Sequence, residues 1–475
     1  MLNFDALISR KPHLISIWAA AIMMLISSPY TSSNAQGRAF HTKLANGMEV
    51  VVLPDRRAPV VTHMVWYRVG GADEPIGKSG IAHFLEHLMF KGTQKIAPGE
   101  FSKIIARNGG QDNAFTSNDV TAYFQRVSKD RLPLIMEMEA DRMVNLRLDE
   151  NDVTTERKVI LEERRSRVDN EPLSILQEQM QAAFYLAHPY GIPVIGWEHE
   201  IEKLNRQDAL GFYKKFYAPN NAILVIAGDV SPEDVMLLAE KFYGVIPANP
   251  DAAVRSRVQE PDHAAERRVV LKDSRAGKAT LQRIYMAPAY PNAAPSEAEA
   301  LEMLARIAGS SKTSRMYMKL VVEEKKASSA SGWFSGAALD SGSIAFYAVA
   351  AGDAKLEDIE ALMDGVLADV RENGVTQEEL DRARNAAVAD IVYMSDNQAS
   401  MARTYGWALA TGRTVQDVET RAERLAKVTV EDVKKAANKY LDIKRSVTGL
   451  LFPAPSQTAN VARPSTPKQP GAGVH

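Results

Sequence analysis

Cysteine is absent from all 475 residues of the sequence. Its absence excludes disulfide bonds and any metal site that uses thiolate ligands. A metal such as zinc would have to be held by histidine and carboxylate side chains. The chain is long enough for packing alone to stabilise its fold.

Net charge is also nearly absent, because 57 basic residues balance 59 acidic ones. This balance does not indicate the basic face that is typical of nucleic-acid binding. We therefore expect no nucleic-acid partner.

Long apolar runs are scarce, and the one that stands out is Leu14 to Ser27, which has 14 residues. This length is too short for a comfortable membrane span. Arg10 and Lys11 precede the run, and small residues follow it up to Ala35. The pattern predicts a signal peptide at residues 1–35 that is cleaved after Ala35. We expect an exported, periplasmic protein without a stable membrane span after cleavage, and an uncleaved anchor is the alternative.

The remaining sequence predicts two similar halves. Each half begins with two apolar strands followed by a helix, and each ends with a helix, a turn and an apolar strand. Strands mixed with long helices, including adjacent strands of the hairpin kind, favour an α+β fold over a doubly wound parallel sheet. We expect domains at 37–245 and 267–455, a surface linker at 246–266 and a disordered tail at 456–475.

A possible metal site lies in the segment from Gly80 to Phe90, which has helical periodicity. His83 and His87 are four residues apart, so they lie one turn apart on one face. Glu86 neighbours both, and a carboxylate there can accept a proton from a water molecule that the metal activates. This H-x-x-E-H order occurs in zinc proteases. The alternative is a solvated helix edge with ordinary histidines.

A catalytic zinc usually takes three protein ligands, so a third residue is needed. The strongest candidate segment is the helix that carries Glu156 and Glu163, which are two turns apart. We expect both to face inward beside Val159 and Ile160. A solvated run of charges is the alternative.

At these residues the chain resembles the pitrilysin family of zinc peptidases, the inverzincins, and within it the branch of mitochondrial processing peptidase. The pattern is His83, Glu86 and His87, followed by Glu156 and Glu163. The resemblance implies two homologous domains in tandem, each a mainly antiparallel sheet flanked by helices, as half of a clamshell.

The resemblance also implies residue roles. His83, His87 and Glu163 would bind one zinc ion per chain, with Glu86 as the general base and Glu156 as the carboxylate that orients the site. A family edge strand that binds the peptide substrate is matched by Asn113, Ala114, Phe115 and Thr116.

The second half departs from the family pattern, since no Arg and Tyr occupy their expected places between Leu320 and Ala330. We therefore expect a catalytic subunit that works with a homologous partner supplying this pair, or a homodimer. The alternatives are a non-catalytic assembly subunit of the same fold and a metal hydrolase acting on other esters or amides.

Overall fold

The computed structural model describes residues 39–252 and 255–455. The predicted signal peptide and the predicted C-terminal tail fall outside these residues, so both stay predictions. In the described part of the chain, no helix combines the length and the apolarity needed to cross a membrane.

The first half builds a six-stranded mixed sheet with the strand order β1-β2-β6-β3-β5-β4. Its strands are β1 Phe40–Lys43, β2 Glu49–Pro54, β3 Val60–Tyr67, β4 Gln111–Thr116, β5 Thr121–Ser128 and β6 Ala222–Gly228. Strands β2, β3 and β6 are almost entirely buried, because helices cover both faces of the sheet. Strand β4 is polar and forms one edge.

The second half builds a five-stranded sheet with the order β7-β11-β8-β10-β9. Its strands are β7 Arg267–Asp273, β8 Thr280–Pro288, β9 Ala327–Ser335, β10 Ser341–Ala350 and β11 Ser446–Pro453. Apart from β1, the two sheets have the same topology: the first and last strands of each half pair in parallel, and the other pairs are antiparallel. This confirms the predicted α+β fold with two homologous halves.

Helices surround both sheets. Those of the first half are α1 Ile81–Leu88, α2 Glu100–Arg107, α3 Leu132–Val144, α4 Glu150–Arg164, α5 Pro172–Phe184, α6 Glu198–Ile201, α7 Arg206–Phe216 and α8 Pro232–Ala239. Those of the second half are α9 Glu297–Ala308, α10 Arg315–Tyr317, α11 Leu356–Asn373, α12 Gln377–Ser395, α13 Gln398–Ala410, α14 Val415–Glu419, α15 Arg421–Lys427 and α16 Val430–Tyr440.

The two halves exchange one helix each. Helix α13 of the second half packs on the first sheet, where Tyr405 joins a core that contains Trp66. Helix α5 of the first half packs on the second sheet, where Met180 joins a core that contains Val447. A glycine allows each contact, since a Cβ atom at Gly406 would overlap Trp66 and one at Gly449 would overlap Met180.

The segment predicted as a surface linker is bound to both halves by buried charge. Arg257 is only 5% exposed. It donates to Asp73 of the first half at 2.9 Å and to Asp340 of the second half at 2.7 Å. Composition predicts an exposed segment here, but it cannot show that carboxylates from both halves surround one arginine.

Candidate metal centre and active site

Helix α1 presents the H-x-x-E-H motif because its other side is buried. Five of its residues form the buried side: Ile81, Ala82, Phe84, Leu85 and Leu88. His83, Glu86 and His87 are partly exposed on the opposite side. The apolar spacing therefore fixes the direction in which the three polar side chains point.

The start of α1 is held by Glu74, whose carboxylate accepts hydrogen bonds from the amides of Gly80 and Ala82 at 2.9 Å each. These amides have no partner within the helix, so the carboxylate satisfies them. Burial raises the pKa of Glu74 well above its usual value, and the two hydrogen bonds oppose the shift.

A close backbone approach places α1 beside the loop that precedes α6. Gly80 has a φ of 86°, and a Cβ atom there would lie 2.5 Å from the carbonyl oxygen of Ile195. Gly196 has a φ of 91°, and its Cβ atom would lie 2.5 Å from the carbonyl oxygen of Ser79. Both positions therefore require glycine.

Helix α4 carries the two glutamates. It begins at a capping box in which Asp149 and Asp152 bond each other's backbone amides. Val153, Glu156, Ile160 and Arg164 form its buried side. The prediction that Val159 faces inward is wrong, since this side chain is 44% exposed. At about 100° per residue, position 159 lies roughly 100° from the centre of the buried side.

The structure brings His83, His87 and Glu163 together. Oε2 of Glu163 lies 3.7 Å from Nε2 of His83 and 3.4 Å from Nε2 of His87. One ligand atom from each residue falls within 4.8 Å of the other two. A tetrahedral zinc ion with bonds near 2 Å holds its ligand atoms roughly 3.3 Å apart. Two imidazoles and one carboxylate at this spacing fit a zinc ion that keeps one position open.

Glu156 acts on His87 from the other side of the ring. Its Oε2 lies 3.2 Å from Nδ1 of His87, and its Oε1 forms an ion pair with Lys91. Burial would lower the pKa of His87, but the hydrogen bond to Glu156 and the charge of Glu163 raise it overall. Because Nδ1 faces a carboxylate, the proton of the neutral ring belongs there and Nε2 is free to bind a metal.

His83 is the more deeply buried imidazole. Burial lowers its pKa to about 3, and the neighbouring His87 and Arg167 add to the effect. A ring with this pKa is neutral near pH 7 and offers a lone pair, as a metal ligand must. Its Nδ1 is buried and has no hydrogen-bond partner among the described residues.

Glu86 lies beside the cluster and contacts the edge strand β4. The hydroxyl of Thr116 donates to its Oε2 at 2.6 Å. Burial raises the pKa of Glu86, and the bond from Thr116 opposes the shift. A carboxylate with a raised pKa is a better proton acceptor and donor near neutral pH.

Strand β4 contains the residues predicted to bind substrate, and they divide between its two faces. Ala114 packs on the core of the first sheet, and Thr116 reaches Glu86. Phe115 faces the opposite side, where it stacks on Trp407 of α13 with ring centroids 5.9 Å apart. Asn113 is exposed and accepts a hydrogen bond from the amide of Ala114 at 2.8 Å.

Three contacts of this site were missed by sequence reasoning. Lys91 follows the end of α1 by three residues, and its ammonium forms an ion pair with Glu156. Arg167 is four residues after Glu163 and forms an ion pair with Oε1 of that residue at 2.6 Å. Glu74 had no recognisable signal, because it reaches the helix start through a loop.

Comparison with known proteins identifies the family. Residues 50–197 match the family described as insulinase (peptidase family M16), and residues 203–387 match the peptidase M16 inactive domain. The zinc protease PqqE of Helicobacter pylori is 31% identical over 414 residues, which cover 86% of this chain and 92% of that protein. The chain belongs to the M16 family of peptidases.

Other M16 relatives agree. The solved structure of a protease from Helicobacter pylori has a TM-score of 0.83 at 30% identity and covers 88% of this chain and 100% of its own. The "Probable mitochondrial-processing peptidase subunit beta, mitochondrial" of Arabidopsis thaliana is 25% identical over 435 residues, covering 87% of this chain and 79% of that protein. The predicted pitrilysin-family resemblance is thus confirmed. The names of the relatives support a zinc peptidase in kind.

In the second half of this M16 chain, the region where the Arg and Tyr were expected forms a helical turn and a strand. Residues Met318–Glu323 form a π-helical turn, and β9 follows it as an edge strand. The nearby Arg315 binds Glu379 at 2.7 Å and Asp369 at 2.8 Å, so its guanidinium is occupied within the second half.

Proposed function

We propose that this protein is the catalytic subunit of an exported zinc endopeptidase that hydrolyses peptides or unfolded polypeptide segments. The observation that carries the proposal is the convergence of His83, His87 and Glu163, with Glu86 beside them. Family membership supports peptides rather than other esters or amides as the substrate.

The proposed chemistry divides among few residues. His83, His87 and Glu163 would hold the zinc ion, which when bound polarises a carbonyl group and lowers the pKa of water. Glu86 accepts the proton of the attacking water and delivers it to the leaving amine. Thr116 keeps the Glu86 carboxylate directed at this place.

The substrate would bind as an added strand along the open edge of β4, at Asn113 to Thr116. Main-chain hydrogen bonds supply affinity in this mode, and side-chain contacts supply the preference. The bond between Thr116 and Glu86 supports it, because this edge then passes directly beside the proposed base.

The proposal includes a partner. The segment Leu320–Ala330 has neither Arg nor Tyr, so residues that grip the substrate would come from a homologous subunit or from a second copy. The sequence of residues 1–35 supports export to the periplasm, as a signal of this kind would direct it.

Purification of the protein from its native host, with whatever accompanies it, tests the function. We expect about one zinc per chain and hydrolysis of an unfolded, fluorescence-quenched peptide. Glu86→Gln should retain zinc and lose activity by a factor on the order of 10²–10⁴. Glu162→Gln is the matched control, since Glu162 is exposed on α4 and should leave activity unchanged.

The outcomes separate the alternatives. A preparation without zinc and without hydrolysis, even with its partner, identifies an assembly subunit. Full activity of Glu86→Gln refutes its role as base. High activity of the isolated chain refutes the need for a partner.

A further inference from the structure

A short π-helical turn, Arg165–Asp169, continues helix α4 directly after Glu163 and Arg164. The amide of Asn170 bonds the carbonyl of Arg165 at 2.9 Å, five residues earlier. Such turns are uncommon, and they often occur at functional sites. This one places three arginines around the end of the helix.

The three arginines have different surroundings. Arg164 is buried and donates to Glu178 and to the carbonyl of Gly196, each at 2.8 Å, so it anchors the helix end. Arg165 is 56% exposed and lies 3.5 Å from the exposed Glu162. Arg167 is 73% exposed along its side chain, yet its guanidinium lies 2.6 Å from the largely buried carboxylate of Glu163.

The two carboxylate oxygens of Glu163 face different partners. Oε1 forms the ion pair with Arg167, whereas Oε2 faces Nε2 of His83 and of His87. The terminal torsion of a glutamate has broad preferences, so the side chain alone does not hold this orientation. We propose that Arg167 is a positioning residue for the metal: it fixes Oε1 so that Oε2 alone is presented as the ligand atom.

This inference rests on the proposed function, since it needs His83, His87 and Glu163 to bind zinc. It goes beyond that function by giving the metal affinity a determinant outside the motif. Residues that orient a metal ligand typically change affinity or activity 10- to 100-fold when they are removed, which sets the scale expected for Arg167.

The charge of Arg167 also has an opposite effect on metal binding. A positive charge beside the site repels a divalent cation, which would make removal of Arg167 favourable to binding. The exposed guanidinium is surrounded by water, where the high dielectric constant and salt screen its charge. The ion pair at 2.6 Å is a direct contact with a carboxylate that is largely buried, so it is screened less than the longer-range repulsion. Positioning therefore outweighs repulsion, and loss of Arg167 should weaken zinc binding.

The test is the affinity of the full chain for Zn²⁺, measured by competition with a chelator at fixed pH and salt. Arg167→Met should bind Zn²⁺ roughly 10- to 100-fold more weakly than the unchanged protein. Arg167→Lys can still form an ion pair with Oε1 and should recover part of the loss. Arg165→Met is the matched control: it removes a similar exposed charge from the same turn and should bind like the unchanged protein.

Thermal unfolding of the metal-free variants shows whether the fold is intact, and exposed pairs of this kind contribute little to it. Equal or tighter binding by Arg167→Met overturns the inference, as does an equal loss in Arg165→Met. If the unchanged chain binds no Zn²⁺, or if His83→Ala binds as well as it does, then the proposed function itself is wrong.

Discussion

Replacement of Glu156 by glutamine probes how the metal site is oriented. Glu156 uses one oxygen for Nδ1 of His87, at 3.2 Å, and the other for Lys91. Glutamine has the same shape but a single acceptor oxygen. Whichever way its amide turns, an NH₂ group faces either the ring N–H of His87 or the ammonium of Lys91, and one contact becomes donor against donor.

The magnitude follows from the contact that is lost. A hydrogen bond to a charged group contributes about 1.5–3 kcal/mol. At 1.4 kcal/mol per factor of ten, this corresponds to a roughly 10- to 150-fold change. We expect the amide oxygen to face Lys91, because Lys91 carries a full charge. His87 then loses the acceptor that fixes its proton on Nδ1. Zinc affinity should then fall by about 10- to 100-fold.

Chelator competition with Zn²⁺ measures the effect in Glu156→Gln, and Glu162→Gln on the same helix is the control. Lys91→Met combined with Glu156→Gln should recover affinity, because the amide oxygen can then turn to His87. The reasoning fails if Glu156→Gln binds zinc within about twofold of the unchanged protein, or if the double variant is weaker still.

Two further predictions concern packing and pH. Gly406→Ala should lower the melting temperature, because overpacking against Trp66 costs about 1–3 kcal/mol. This cost exceeds the gain of about 1 kcal/mol in helix propensity. Gly365→Ala on α11 is the control: a Cβ atom there meets nothing within 4 Å, so this variant should raise the melting temperature. Zinc affinity should decrease as the pH falls through the pKa of His87, since protons compete with the metal for the ring. Because Glu156 raises that pKa, Glu156→Gln should shift the decrease to lower pH. Titrations of zinc affinity across about pH 5 to 8 would show no such shift if the pair were unimportant.

Local sequence patterns predicted those parts of the site that lie within a single helix. The spacing of His83, Glu86 and His87 requires only helical geometry, and the apolar residues between them decide which side is buried. The seven-residue spacing of Glu156 and Glu163 works in the same way. The error at Val159 arose because an apolar residue was assumed to be buried without counting its angle from the others.

Contacts between distant segments could not be predicted from such patterns. Nothing near Trp66 indicates that Gly406 of another half lies against it. Arg257 has the same difficulty, because its partners Asp73 and Asp340 belong to different halves. The bond from Thr116 to Glu86 depends on the register of β4, which only the whole sheet determines.

The exchange of helices between the halves has a consequence for synthesis. The first sheet is complete at Gly228, but α13, which covers one of its faces, begins only at Gln398. At a translation rate of 5–20 residues per second, that face of the sheet stays uncovered for roughly 10 to 30 s until α13 is synthesised. Neither half is therefore expected to fold stably as a separate fragment, and a cut between residues 246 and 266 would leave each piece missing the helix that the other one holds.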